Sequence, residues 1–425
     1  MEQRIKIGCI ADDFTGASDA ASFLAKAGLK TLLLNGIPTS DINAYYDAAV
    51  IALKTRSIQR SDAVSQSMQA IAWLEERGTE HFYSKYCSTF DSTPEGNIGP
   101  ILDAIVEELD QKTTVLCPAL PVNGRTVKNG ILYVNGVPLS ESSMKDHPLN
   151  PMWASGIAEL MKPQSKYPCL VIQAELMRRG KEAVWNYIAQ KAANWKRFYI
   201  IPDYYQDEHA QMIAEIFGEL SLLSGGSGIL EALGRRAAGG EERENLLHQG
   251  AKGKAIILAG SCSVATRRQI ASYAEAGGNI YKIDPVKLSE GKENVEHIWK
   301  QICEKDEILV FSSDSPEEVK NVQKLLGEKA SQILESTVAQ LAVCAVKNGY
   351  TRVIVAGGET SGAVTQALGQ SSYLIGESVA PGVPVMIPLT APELRIVLKS
   401  GNFGQDDFFL KALKMTSEEA DVLDR

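Results

Sequence analysis

The chain has 425 residues, which at ~100–200 residues per domain points to two or three domains. With 44% hydrophobic and 22% charged residues, 35 Gly and 17 Pro, it has enough apolar surface to offset chain entropy, which excludes disordered, collagen-like and low-complexity classes. A formal net charge of −9 excludes a general binder of nucleic acid or anionic membrane, because phosphate attraction needs a basic field; a small anionic substrate, held by a few local cations, stays open.

Short apolar runs rich in Val, Ile and Leu alternate with helix-period segments. Strands are predicted at Arg4–Ile10, Lys30–Leu34, Ala48–Leu53, His81–Tyr86, Thr113–Cys117, Cys169–Ile172 and Arg197–Ile201. Helices fall between them at Ala17–Lys26, Ser61–Arg77, Ile98–Leu109, Lys181–Ala192 and Glu208–Leu220. In Arg125–Leu139, Asn129-Gly130 and Asn135-Gly136 predict a β-hairpin excursion, since both residue types tolerate positive φ. Ala237–Lys254 is Gly-rich and charged, and divides a first domain, residues 1–240, from a second, 241–425. Strands then resume at Ala255–Leu258, Asn279–Ile283, Ile308–Phe311, Arg352–Val355, Val383–Ile387 and Leu394–Leu398, with helices at Ala265–Glu275, Val295–Cys303, Pro316–Leu326, Ser331–Asn348 and Thr360–Leu368. The alternation predicts two α/β domains with largely parallel sheets flanking a cleft. The acidic last ten residues read as a solvated tail.

The seven cysteines are scattered and form no C-x-x-C pair, so reduced thiols in a cytoplasmic protein are expected. The opening MEQRIKIGCIADDF holds too short an apolar run for a signal peptide, and no stretch approaches the ~20 apolar residues of a membrane helix. A Walker loop, a G-x-G-x-x-G fingerprint after the first strand of either domain, H-E-x-x-H and G-x-S-x-G are all absent, which argues against a P-loop ATPase, a Rossmann dehydrogenase, a zinc site and a serine hydrolase.

Chemistry-bearing residues gather at predicted strand ends, where α/β sheets place ligands. The first strand runs into Asp12, Asp13, Thr15 and Gly16; either carboxylate suits orienting a hydroxyl, and either suits capping a helix. A second strand end carries Lys85, Ser88, Asp91, Ser92, Thr93 and Asn97, polar groups fit for a sugar-like ligand. A third carries Lys54 and Arg56, the latter suited to a carboxylate. In the second domain, Ala259–Val264 with Ser261, Ala356–Gly362 with Gly357, Gly358, Glu359 and Thr360, and Lys399–Gly404 with Gly401, Asn402 and Gly404 make three glycine loops, which together point to nucleotide phosphate.

In order and spacing, these motifs resemble the four-carbon acid sugar kinases. Ala11–Ala17 is similar to that family's A-D-D-[LF]-T-G-A, Asp91–Asn97 to D-S-T-x-x-G-N, Gly357–Ser361 to G-G-E-T-S and Lys399–Gly404 to K-S-G-x-F-G. Lys85–Thr93, Pro118–Arg125, Leu139–Pro148 and Gly260–Val264 look most like the 3-oxo-tetronate kinase branch; threonate and erythronate kinases more often carry D-S-T-L-R-G-N, where Pro94 and Glu95 stand here. The resemblance implies ATP-dependent phosphorylation of a C4 hydroxyl. It implies an acid sugar held by the Asp12–Gly16 loop, Arg56 and the Asp91–Asn97 loop, and ATP held by Ser261, Gly357–Thr360 and Gly401–Gly404. Lys85 joins Arg56 as a cation for the anionic substrate. Asp13 or Asp91, then Asp12, is the expected base, Mg²⁺ is expected with ATP, and a homodimer is the default assembly. Competing readings are threonate or erythronate as substrate, a non-catalytic acid-sugar or nucleotide sensor, and a dehydrogenase.

Overall fold

The structure is a computed structural model and describes residues 4–146, 150–239, 250–313, 316–327 and 329–418. The chain divides into two compact units, residues 1–245 and 246–425. Most of the predicted linker Ala237–Lys254, most of the acidic tail, and His147 and Pro148 lie outside the described residues.

The first unit holds β1 (Ile7–Ala11), β2 (Thr31–Asn35), β3 (Ala48–Ala52), β4 (His81–Lys85), β5 (Thr113–Cys117), β6 (Arg125–Lys128), β7 (Ile131–Val134), β8 (Val137–Pro138), β9 (Cys169–Ile172), β10 (Phe198–Pro202) and β11 (Leu222–Gly225). Eight of these form a sheet in the order β2-β3-β1-β4-β11-β5-β10-β9, parallel at every pairing. All residues of β1, β3, β5 and β10 are buried, because helices cover both faces; this is why those strands read as unbroken apolar runs rather than alternating ones. The chain steps from β1 to β2 and β3 on one side and to β4 on the other, so the strand order reverses at β1. The loops after β1, β3 and β4 therefore open at one switch point.

The excursion is a separate antiparallel sheet, β6-β7-β8. Asn129 and Gly130 have φ of 52° and 75°, and Asn135 and Gly136 have 51° and 81°, so both predicted Asn-Gly turns form. Two expectations change. Strand β11 lies mid-sheet between β4 and β5, although SLLSGGSG shows little strand character by itself. The first helix begins at Phe14 rather than Ala17, because Asp13 caps it; Thr15 and Gly16 are thus first-turn residues, not loop.

The second unit holds β12 (Lys254–Ala259), β13 (Ile280–Lys282), β14 (Glu307–Phe311), β15 (Tyr350–Ala356), β16 (Ser372–Ala380), β17 (Val383–Pro388) and β18 (Arg395–Lys399). Their order is β13-β14-β12-β15-β18-β17-β16. The first five are parallel, while β17 runs antiparallel to both β18 and β16. β16 was not anticipated: Gly376, Glu377 and Ser378 break its apolar run. Ile257, Leu309, Ile354, Val397, Phe408 and Phe409 pack in one core against the helices Val264–Glu275 and Phe408–Thr416. The order reverses between β12 and β15, so their following loops, with that of adjacent β18, open together.

Candidate functional site

In the first unit, ladder-like bonds carry the register past the strand ends. Leu53 N donates to Ala11 O (2.8 Å), Asp12 N to Lys85 O (3.2 Å) and Thr55 N to Asp12 O (3.2 Å). This aligns Asp12, Arg56 and the segment after Lys85, and Asp12, Arg56, Lys85, Asp91, Ser92 and Asn97 line one pocket.

Arg56 is the hub. Its Nε donates to Asp12 Oδ2 (2.7 Å) and its Nη2 to Asp12 Oδ1 (2.9 Å). The same Nη2 lies 2.7 Å from Asp13 Oδ2, and Nη1 lies 3.8 Å from Asp91 Oδ2. Burial opposes the guanidinium charge, but Asp12 and Asp13 outweigh it and hold the pKa above its ordinary value. Burial likewise pushes the Asp12 carboxyl up, with Arg56 pulling it back. In the structure Arg56 meets three protein carboxylates, Asp12, Asp13 and Asp91.

Each carboxylate has a distinct setting. Asp13 accepts from Gly16 N at 2.5 Å as the helix N-cap, so both its oxygens are engaged. Asp91 is buried, its Oδ1 accepts from Thr89 Oγ1 (2.7 Å), and among the described residues its Oδ2 has only the long Arg56 contact. Phe90 and Asp91 hold φ of 64° and 29°, a conformation that costs a bulky residue energy and turns the Asp91 carboxylate toward Arg56. A Cβ on Gly16 would meet Asp13 Oδ1 at 2.7 Å and Lys85 Nζ at 3.0 Å, so glycine is what lets that ammonium reach the helix start. Lys85 is buried and donates to Tyr86 O at 3.1 Å.

Other predicted residues serve the loops. Asn97 donates to Thr55 O (2.8 Å) and Ile58 O (2.9 Å), pinning the Arg56 loop, and Ser92 donates to Gln164 Oε1 (2.9 Å). Thr15 is half-buried in the first helical turn, and Thr93 is half-buried with its carbonyl accepting from Gly96 N at 2.9 Å. Lys54 is exposed. Sequence reasoning missed Thr89, Gln164 and Asp19. Asp19 closes the first motif: it is buried and accepts from Ser227, and burial raises its pKa against the pull of Lys85 and that hydrogen bond.

In the second unit the three glycine loops meet. Ser263 caps the helix Val264–Glu275 through Thr266 N (3.1 Å) and donates to Gly401 O (2.6 Å). Gly357, at φ 131°, precedes the helix Gly358–Leu368, so Gly358, Glu359 and Thr360 form its first turn. Gly357 N donates to Lys399 O (2.9 Å), tying two loops. A Cβ at Gly401 would collide with the Ser261 hydroxyl, and one at Gly260 with Thr360. Gly358, Glu359 and Asn402 are exposed, Gly357 and Thr360 buried, and Ser261, Gly401 and Gly404 half-buried. Lys399, Thr266 and Gln269, which hold this arrangement from beneath, were not assigned from sequence. Among the described residues, no group of three or more His, Cys, Asp or Glu side chains is set to hold a metal, and no helix is long and apolar enough to cross a membrane.

Two family models match the chain. A sugar-binding N-terminal domain model matches residues 7–233, and a nucleotide-binding C-terminal domain model matches residues 256–409. A Brucella melitensis protein named 3-oxo-tetronate kinase is 41% identical, over 98% of this chain and 97% of its own. A Haemophilus influenzae protein of the same name is 41% identical, over 95% of this chain and 98% of its own. A crystal structure from Salmonella typhimurium LT2, provisionally described as a tRNA synthase, superposes with a TM-score of 0.89 at 39% identity, covering 96% of this chain and 98% of that one. The chain belongs to the four-carbon acid sugar kinase family, in the group whose curated members are named 3-oxo-tetronate kinase.

Proposed function

We propose that the protein transfers the γ-phosphoryl group of ATP to the C4 hydroxyl of 3-oxo-tetronate, giving 3-oxo-tetronate 4-phosphate and ADP. Full-length similarity to relatives bearing that kinase name carries the reading. Residues 1–240 form the acid-sugar domain and 241–425 the ATP domain. The seven free cysteines support a reducing, cytoplasmic setting.

Phosphoryl transfer asks for positioning and charge neutralisation more than covalent chemistry. Arg56 binds the substrate carboxylate by giving up its weakest partner, the 3.8 Å contact to Asp91, while Asp12 keeps the guanidinium oriented. Lys85 adds a second cation; Thr15, Gly16 and Thr93 border the sugar, and Ser92 and Asn97 hold the loops that carry it. Released from Arg56, Asp91 Oδ2 takes the proton of the C4 hydroxyl. Asp13 is the second choice, favoured by its greater exposure, 34% of the side chain against 9%. The N–H groups of the three glycine loops hold the phosphates. Mg²⁺ enters as part of the MgATP substrate, held by phosphate and water.

The test is ADP release by the purified protein with 3-oxo-tetronate, D-threonate, L-threonate and D-erythronate, compared as kcat/KM. A clear preference for 3-oxo-tetronate is expected. Equal values with threonate defeat the substrate assignment, and ATP binding without turnover of any of the four leaves a sensor.

A further inference from the structure

We propose that Lys399 and Gln269 are positioning residues for the nucleotide: they draw the carbonyls of the Ser400–Gln405 loop inward and so turn its N–H groups outward as donors to a polyphosphate. This rests on the kinase reading and names the device by which one glycine loop would serve it.

Lys399 Nζ donates to Gly401 O (3.0 Å), Ser400 O (3.3 Å) and Thr266 Oγ1 (3.0 Å). Gln269 Nε2 meets Phe403 O (3.0 Å), Gly404 O (3.1 Å) and Gln405 O (3.0 Å). Gly401 O also accepts from Ser263 Oγ (2.6 Å) and Thr266 Oγ1 (2.9 Å). In a planar trans peptide the carbonyl and the following N–H point in opposite directions. Inward carbonyls at 400, 401, 403 and 404 therefore turn the N–H groups of Gly401, Asn402, Gly404 and Gln405 away from the protein interior. Among the described residues, none of these four N–H groups has a backbone acceptor. A run of such groups is a concave anion site.

The charge is the second argument. Lys399 is 1% exposed, and no carboxylate pairs with it among the described residues. The Phe408 ring centroid lies 5.6 Å from its Nζ, a contact that softens burial without neutralising the charge. An unpaired buried ammonium is costly, and burial accordingly lowers its pKa to about 8. A bound polyphosphate on the other side of the loop supplies the missing negative charge.

The experiment measures ATP binding to the full chain by calorimetry, alongside KM for both substrates. K399M is expected to weaken ATP binding by about tenfold or more, with KM for the acid sugar within about twofold and the thermal transition intact. Q269M, which releases three carbonyls but no charge, is expected to weaken it by less. Equal ATP affinity in wild type and K399M overturns the role of Lys399 and leaves the kinase reading standing; a wild type that binds no ATP overturns both. Wild type alone supplies a readout free of any folding defect. Its ATP affinity should fall from pH 7 to pH 9, as the ammonium is lost above about 8. Thr266 and Phe408, which face Lys399 from the packed helices, do not titrate. The K399M profile subtracts any pH dependence that does not come from Lys399. A wild-type slope no steeper than that of K399M counts against the proposal.

Discussion

Around one arginine, Arg56, the protein gathers three carboxylates, two within 2.9 Å and one at 3.8 Å. With Lys85 there are two cations against Asp12, Asp13 and Asp91. The two cations named from the sequence, Arg56 and Lys85, are therefore outnumbered by one by the carboxylates of this cluster in the first unit. On the proposed function, a substrate carboxylate would compete for Arg56 with the weakest-held aspartate, Asp91. R56M strands Asp12 without its bidentate partner in a largely buried position, and should lose about 3 kcal/mol of stability with nearly all activity, read by thermal unfolding and ADP release. D91N is the contrasting case. Asn still accepts from Thr89 Oγ1, so the loop should hold, while kcat falls by roughly 10²- to 10⁴-fold if Asp91 is the base. Near-normal turnover in D91N moves the role to Asp13.

At the scale of elements, glycines differ in what surrounds them. Gly225 ends β11 at φ 155°, and a Cβ there would run into the backbone carbonyl of Cys117 on β5. G225A should cost several kcal/mol, roughly 3 or more, because a backbone atom and not a flexible side chain must yield. Gly358 has nothing within 4 Å of its Cβ position. G358V should leave the thermal transition within about 1 kcal/mol of wild type, since only an exposed first-turn propensity changes, yet block ATP. Unchanged ATP affinity in G358V would place the phosphates elsewhere. The same scale explains what the sequence left unread. β11 is four residues long and half Ser and Gly, and it is a strand because β4 and β5 supply ladders on both sides. The Asn-Gly turns were legible because their φ requirement is local.

At the scale of the molecule, each unit carries its own core and its own set of loops at a point where strand order reverses. Ligands should therefore protect separate segments in hydrogen exchange. The acid sugar is expected to slow exchange in residues 12–16, 55–58 and 89–97, and ATP in 260–266, 357–361 and 400–405. At about 100 times its dissociation constant each ligand adds roughly 2.7 kcal/mol to the opening free energy of what it binds. ATP protection appearing in 12–16 and 89–97, and not in the glycine loops, would reverse the division of labour.

The sequence by itself determined the α/β class, the Asn-Gly excursion and the positions of the motif loops, because apolar periodicity, turn chemistry and strand-end glycines are written over a few consecutive residues. Only the tertiary structure decided which motif residues meet one another. Arg56 meets Asp12 across 44 residues, Asn97 pins the Arg56 loop, and Lys399 grips Thr266 across 133. Those pairings arise where parallel strands bring their ends together, and no local pattern encodes which partner a buried charge will find.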